Sequence, residues 1–448
     1  MQKVNLNHEI IQRESKIIAK TQKIPYAPIA FKSGEGALLY DYEGKEYIDF
    51  LSSASSANIG HGNVEIAEAV KKQMEELAQY AMAYFSSEKP VELAEKLGEL
   101  TGETDMQVAY ATTGSASIDG AIKAARAYTG RSKLISFMES YHGSTYGAIS
   151  VSALSTNMRR KIGPLLSEVV HFNYPICVRC KYGKKEPTCH LECLQEIKYA
   201  FQHYLPAEEV AAVLMEPIAG DAGLVIPPKR YVQELHKLCK EHGILLISDE
   251  IQQGLGRTGK WFAMEHFDVK PDLYVLGKSV GGGLPLGVLM GKAKIMEALE
   301  APAHLFSMSG NSAVCAASLK MFEIHEREAL NKASEEKGKY LKEKLEKLME
   351  KYDIIGDVRG LGLSIGVDLV KDRATMEKDY IATAKISYRC IENGLILIFV
   401  GQSTLRVQPP LVITYEQLDK AVSILEQAIQ DYVDGKIGDE VMESVKGW

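Results

Sequence analysis

The sequence predicts an α/β protein in which a large, doubly wound, mostly parallel sheet domain is joined to a smaller α+β domain. Three observations lead there. The chain has 448 residues, more than one ordinary core holds, so two packed domains are expected. Short apolar runs at 107–111, 133–137, 211–215, 244–248 and 272–276 recur between helical patterns. They are rich in Val, Ile and Leu and do not alternate with polar residues, as expected of strands covered on both faces of a parallel sheet. Past about residue 310 the character changes to a charged amphipathic helix at 329–352, the run Asp357-Val358-Arg359-Gly360-Leu361-Gly362-Leu363, a strand pair, and a last helix near 416–432.

The first sixty residues, with strand-like stretches at 37–40 and 46–51, are too few to fold alone and are expected to join the smaller domain. Residues 64–79 put Val64, Ala67, Val70, Met74 and Leu77 on one helical face. A second helix starts near Pro90, a residue suited to a first turn. The expected limits are therefore 1–62 for a segment joining the small domain, 63–308 for the large domain, and 309–448 for the small one.

Hydrophobic content of 46% and charged content of 25% are ordinary for a soluble globular protein. A formal net charge of -7 offers no basic footprint for nucleic acid and no attraction to an anionic membrane. Met1 to Lys20 is polar without an apolar core, unlike a signal peptide, and no apolar stretch reaches the roughly 18 residues of a membrane span. A cytoplasmic location is expected.

Of seven cysteines, Cys239, Cys315 and Cys390 fall in helical stretches and read as buried thiols. Cys177-x2-Cys180 and Cys189-x3-Cys193 crowd together with His190 between them. That density makes the four cysteines candidate ligands of a zinc or iron–sulfur site, but the spacing departs from the standard zinc patterns, so an exposed, reduced insertion without a metal is expected. A reducing compartment disfavours a disulfide.

The chemistry is concentrated at run ends. The run 244–248 leads into Asp249-Glu250, and 272–276 into Gly277-Lys278-Ser279-Val280 and three glycines. A lysine and an aspartate at neighbouring strand ends suit pyridoxal 5'-phosphate (PLP): the lysine forms a Schiff base with its aldehyde, and the aspartate holds a proton on its pyridine nitrogen. Thr112-Thr113-Gly114-Ser115 runs from a strand into a helix, where first-turn N–H groups can hold the phosphate or merely receive an ordinary cap. Tyr141-His142-Gly143 follows the run at 133–137; Tyr141 is either a ring-stacking aromatic or a core tyrosine. Glu216 ends the run at 211–215, either at the active edge of the sheet or as a helix cap. Gln252 can reach the phenolic oxygen of PLP. Arg406 stands alone in the apolar stretch Leu405-Arg406-Val407, and burying it requires a carboxylate partner, whether from a substrate or from Asp221.

These segments together resemble the class III aminotransferases, fold type I PLP enzymes. The likeness runs from Asp49-Phe50 to Arg406, and its most specific stretch is Asp249-Glu250-Ile251-Gln252-Gln253-Gly254-Leu255-Gly256-Arg257-Thr258-Gly259 continuing to Lys278. The resemblance implies Lys278 as Schiff-base lysine and Asp249 as partner of the pyridine nitrogen. It further implies Tyr141 against the ring, Gly114 and Ser115 on the phosphate, and Gln252 near the phenolic oxygen, with His142 and Glu216 beside the cofactor. It implies a homodimer, or a dimer of dimers, with shared active sites, and Ser307 stands where the family usually has a threonine that reaches the phosphate held by the second subunit. Tyr84 is expected to line the substrate pocket.

Departures narrow the likeness. Ala116 replaces a frequent acid, Ser312 a usual proline, and Asp221 a glutamate that pairs with the arginine equivalent to Arg406 in the ω-aminotransferase branch. Asp221, the stretches 301–306 and 141–146, and Gly447-Trp448 resemble the group that holds isoleucine 2-epimerase and the broad-specificity amino-acid racemases. Racemisation or 2-epimerisation of a neutral, apolar α-amino acid is thus expected. The alternative is an aminotransferase moving an α- or ω-amino group, such as that of 4-aminobutyrate or ornithine, to a 2-oxo acid. One base, Lys278, suffices for amino transfer, whereas inversion at Cα needs a second acid on the opposite face. Asp221 is either that acid or only the ion-pair partner of Arg406.

Overall fold

The computed structural model describes residues 5–185 and 187–447, so Trp448 of the likeness above lies outside the described residues. The chain divides into two compact units, one spanning Val64–Asn331 and the other made of the residues up to Asn63 together with those from Lys332. The change of unit thus falls beyond the expected 308/309. The helix Ser312–Arg327 accounts for the difference: its buried face, including Ala313, Ala317, Met321 and Phe322, packs on the helices Val64–Leu77 and Glu88–Thr101.

The larger unit is built on a seven-stranded sheet in the order Met106–Ala111, Gly287–Lys292, Leu273–Leu276, Leu245–Asp249, Val210–Met215, Lys133–Phe137, Val169–Phe172. The last five pair in parallel, and Gly287–Lys292 is antiparallel to both of its neighbours. Successive side chains enter different cores. Leu134, Ala212, Leu214, Leu245 and Ile247 pack beneath Ile118, Ala121 and Ala125 of the helix Gly114–Thr129. Ile135, Val213, Met215 and Leu246 pack with Tyr231, Leu235, Leu194 and Ile197 of the helices Lys229–His242 and Glu192–His203. Both faces are apolar, which is why these strands read as unbroken runs.

In the other unit, Phe31–Glu35, Leu38–Asp41 and Glu46–Asp49 form antiparallel strands, and Leu395–Ile396 joins the last of them in parallel. A second sheet orders Ile355–Leu361, Ser364–Asp372, Thr404–Val407 and Ile398–Val400. The helix Tyr415–Val433 starts at a capping box in which Thr414 and Gln417 exchange side-chain-to-backbone bonds, and it packs on Tyr380–Glu392. A four-residue turn, Ser52–Ser55, follows the strand Glu46–Asp49. Among the described residues, no helix is long and apolar enough to cross a membrane.

Candidate active site

Parallel strands bring their carboxyl ends to one edge, and loops there build ligand sites. Asp249 closes the strand Leu245–Asp249, and Glu216 directly follows Val210–Met215. Tyr141 and His142 lie beyond Lys133–Phe137, Gly114 and Ser115 open the helix after Met106–Ala111, and Lys278 follows Leu273–Leu276. These residues, with Gly143, Ile251 and Gln252, line one cavity of about 180 Å3.

Asp249 is buried, and its Oδ2 lies 2.7 Å from Nδ1 of the equally buried His142. Its Oδ1 accepts the Ile251 N–H at 3.1 Å. Nε2 of His142 is buried and has no hydrogen-bond partner, while Nδ1 faces the Asp249 carboxylate and donates to it. The His142 N–H, donated to Ser152 Oγ at 2.8 Å, fixes the ring's place.

Glu216 accepts the N–H of Tyr141 at 3.0 Å and of Gly220 at 2.9 Å, joining two loops of the cavity. Burial pushes its carboxyl up to about 7, and the charges of Asp249 and Asp221 add to the shift. Gln253 Nε2 donates to Gln252 Oε1 at 2.9 Å, so Gln252 retains an amide N–H2 to donate. Gly220 makes room for it: a Cβ there would lie 1.9 Å from Gln252 Oε1.

At the head of the helix Gly114–Thr129, Thr113 caps the Ala116 N–H at 3.1 Å. The first-turn N–H groups of Gly114 and Ser115 carry the positive end of a sixteen-residue helix. Ser115 Oγ accepts the Ser144 N–H at 3.2 Å, which leaves its hydroxyl proton to donate. Gly143 permits that approach, for with φ of 129° a Cβ there would sit 2.0 Å from Ser115 Oγ. Lys278 itself has φ of 50°, uncommon for a residue with a side chain. These donors and charges fit PLP: an anion cup at Gly114 and Ser115, a buried carboxylate for a ring N–H at Asp249, an amide donor at Gln252, and an amine at Lys278.

Other expected residues lie elsewhere. Asp221 is buried in the segment after Glu216, where Ala219 and Val225 form a bridge, but it does not line the cavity. Tyr84 is 75% exposed, and Ser307 is exposed, its carbonyl accepting from Gln79 at 3.0 Å. Arg406 belongs to the other unit, buried on Thr404–Val407 opposite Gly366 and Ile398. Sequence reasoning assigned no role to Glu250. It is buried, pushed up to about 7 by burial first and then by Asp249, and accepts the N–H of Ala263 at 2.7 Å and of Met264 at 2.9 Å. Its place beside Asp249 at a strand end was the available signal.

The clustered cysteines do not line the cavity. Cys177, Cys180, Cys189 and Cys193 form no disulfide, and among the described residues no three His, Cys, Asp or Glu side chains are arranged to hold a metal ion. Burial first, and then the neighbouring Cys177 and Cys189, push the Cys193 thiol up to about 12.

The sheet order and the contents of the cavity are those of a fold type I PLP enzyme. The chain belongs to the class-III aminotransferase family, whose profile matches residues 19–429, and its cofactor is pyridoxal 5'-phosphate. It is 46% identical over 440 residues to the leucine/methionine racemase of Thermococcus litoralis, covering 98% of this chain and 99% of that one. It is 42% identical over 439 residues to the isoleucine 2-epimerase of Lentilactobacillus buchneri, covering 98% of each. Among solved structures, taurine:2-oxoglutarate aminotransferase from Bifidobacterium kashiwanohense superposes with a TM-score of 0.88 at 30% identity, covering 98% of this chain and all of that one.

Proposed function

We propose that the protein is a racemase or 2-epimerase of neutral, apolar α-amino acids. The structural observation that supports the proposal is Asp221, a carboxylate buried in the segment that follows Glu216. Similarity to a leucine/methionine racemase and an isoleucine 2-epimerase along nearly the whole chain supports it.

The bound cofactor supplies an electron sink conjugated to the substrate Cα. Gly114 and Ser115 would hold its phosphate, Tyr141 would stack on its ring, and Gln252 would donate to its phenolic oxygen. Asp249, fixed by His142, would face the pyridine nitrogen and hold a proton on it. Lys278 Nζ takes the proton from Cα on one face, and Asp221 returns one to the other. Arg406 binds the substrate carboxylate and Tyr84 lines the pocket. The active enzyme is a homodimer in which Ser307 serves the phosphate site of the second subunit; exposed Met82, Phe85, Leu305 and Met308 accord with such an interface. Seven free thiols accord with a cytoplasmic location.

Amino transfer is the second reading, favoured by the likeness to the taurine aminotransferase. The two separate when the pure holoenzyme is incubated with single L-amino acids and no 2-oxo acid, and the enantiomers are resolved. D- or allo-isomers are expected. Their absence with every substrate, alongside turnover once 2-oxoglutarate is added, overturns the racemase reading.

A further inference from the structure

The segment after Asp49 adopts a backbone that L-residues avoid. Ser52, Ser53, Ala54 and Ser55 have φ of 52°, 48°, 56° and 68° in succession. With ψ of 50° at Ser53 and 46° at Ala54, the four make a turn of left-handed helix. In that hand each Cβ crowds the following carbonyl oxygen, and none of the four is glycine. Such a turn persists only where its surroundings dictate it.

Asp49 is one part of those surroundings. Its Oδ1 accepts the N–H of Leu51 at 2.8 Å and of Ser52 at 2.9 Å, capping the start of the turn. Its Oδ2 lies 2.7 Å from His61 Nε2, which stops the buried carboxylate from swinging away. The second part is the chain just past Arg406. Gln408 N donates to Phe50 O at 2.8 Å, and Leu411 N donates to Asn58 O at 2.7 Å. Positions 408 and 411 are separated by about 10 Å at most. Residues 50–58 must therefore fold back on themselves, and the left-handed turn does this. The ladder between Thr404–Val407 and Ser364–Asp372 stops at the pair Val407 and Ile365; beyond it Gln408 Nε2 donates to Ser364 Oγ at 2.9 Å, and the turn-bearing segment takes the backbone N–H groups of Gln408 and Leu411.

We propose that Asp49 is a positioning residue for recognition of the substrate carboxylate: by holding Ser52–Ser55 in the left-handed turn it fixes residues 408–411, and through them the place of the Arg406 guanidinium. The inference rests on the reading of Arg406 as the carboxylate clamp. It makes the strain of the turn, rather than any contact of Asp49 with substrate, the quantity that matters.

The test uses the holoenzyme and reads KM and kcat separately, in racemisation or in amino transfer, whichever the enzyme performs. Asp49→Ala is expected to raise KM for the amino acid by about tenfold while kcat and the absorbance of the bound cofactor stay near native. Adding Ser53→Gly and Ala54→Gly to that variant is expected to recover most of the KM, because glycine takes a positive φ without penalty. Asp49→Asn keeps the capping oxygen and should match the native enzyme. Ser53→Val, a β-branched residue at an exposed position of positive φ, is expected to raise KM with Asp49 intact, and it decides the matter if Asp49→Ala does not fold. Native KM in these loosened variants overturns the proposal, as does a defect in Asp49→Ala that the glycines leave in place. An Arg406→Lys enzyme with native KM overturns the clamp reading instead, whatever the Asp49 variants do.

Discussion

His142 Nδ1 and Asp249 Oδ2 meet at 2.7 Å, joining buried side chains 107 residues apart. The bond aims one carboxylate oxygen and fixes the imidazole tautomer. Replacing His142 by Phe keeps a ring in the space and removes the donor. We expect kcat to fall about tenfold or more, with a weaker hold on the cofactor. Steady-state assays and cofactor titration followed by absorbance check this; native values would mean that Asp249 needs no partner.

Asp221→Asn separates two bases from one. In deuterated buffer the native enzyme should exchange the Cα hydrogen of an L-amino acid and invert the centre. The variant should still exchange it through Lys278 while keeping the L configuration, with racemisation reduced by about a hundredfold or more. Chiral chromatography with mass spectrometry reads both at once. Racemisation at the native rate in the variant would remove Asp221 from the reaction.

Glu216 sets a pH dependence of stability. Burial holds its carboxyl near 7, against an ordinary value of 4.5. The folded state therefore binds the proton more tightly than the unfolded state. The stabilisation is complete below pH 4.5 and is lost as the pH rises through about 7. Glu250 titrates in the same window. Melting temperatures of the cofactor-free protein between pH 4.5 and 8 should fall less steeply in Glu216→Gln than in the native chain. Parallel curves would show that Glu216 does not titrate there.

Gly143→Ala places a methyl group 2.0 Å from Ser115 Oγ at a φ of 129°, so either the loop or the phosphate cup must move. The change is expected to weaken cofactor binding by about tenfold or more, on the order of 1–3 kcal/mol of strain. Equilibrium dialysis of the cofactor measures it. Unchanged affinity would show that the loop 141–146 and the cup are independent.

Strand ends were the legible part of this chain, because burial on both faces leaves an unbroken apolar run that points at the residue after it. Asp249, Lys278 and Glu216 were found in that way. Gly287–Lys292 was not, since Gly-Val-Leu-Met-Gly follows a glycine-rich loop and resembles its continuation. The bond from His142 to Asp249 and the double role of Glu216 depend on contacts between distant segments that no local pattern encodes. The left-handed turn was invisible for a plainer reason: Ser-Ser-Ala-Ser has no glycine to announce a positive φ.

The division of the chain bears on its synthesis. The unit Val64–Asn331 is one continuous stretch, whereas the other is completed only by residues from Lys332 onward. The strand Glu46–Asp49 leaves the ribosome early, but its parallel neighbour Leu395–Ile396 does so near the end. At about 5–20 residues per second, the first strands wait for some tens of seconds while the entire cofactor-binding unit is made. The residues that line the cofactor cavity, from Gly114 to Lys278, are therefore all made before Arg406. A nascent chain that has just gained Asn331 already contains Lys278 and Asp249 but lacks the arginine assigned to the substrate carboxylate.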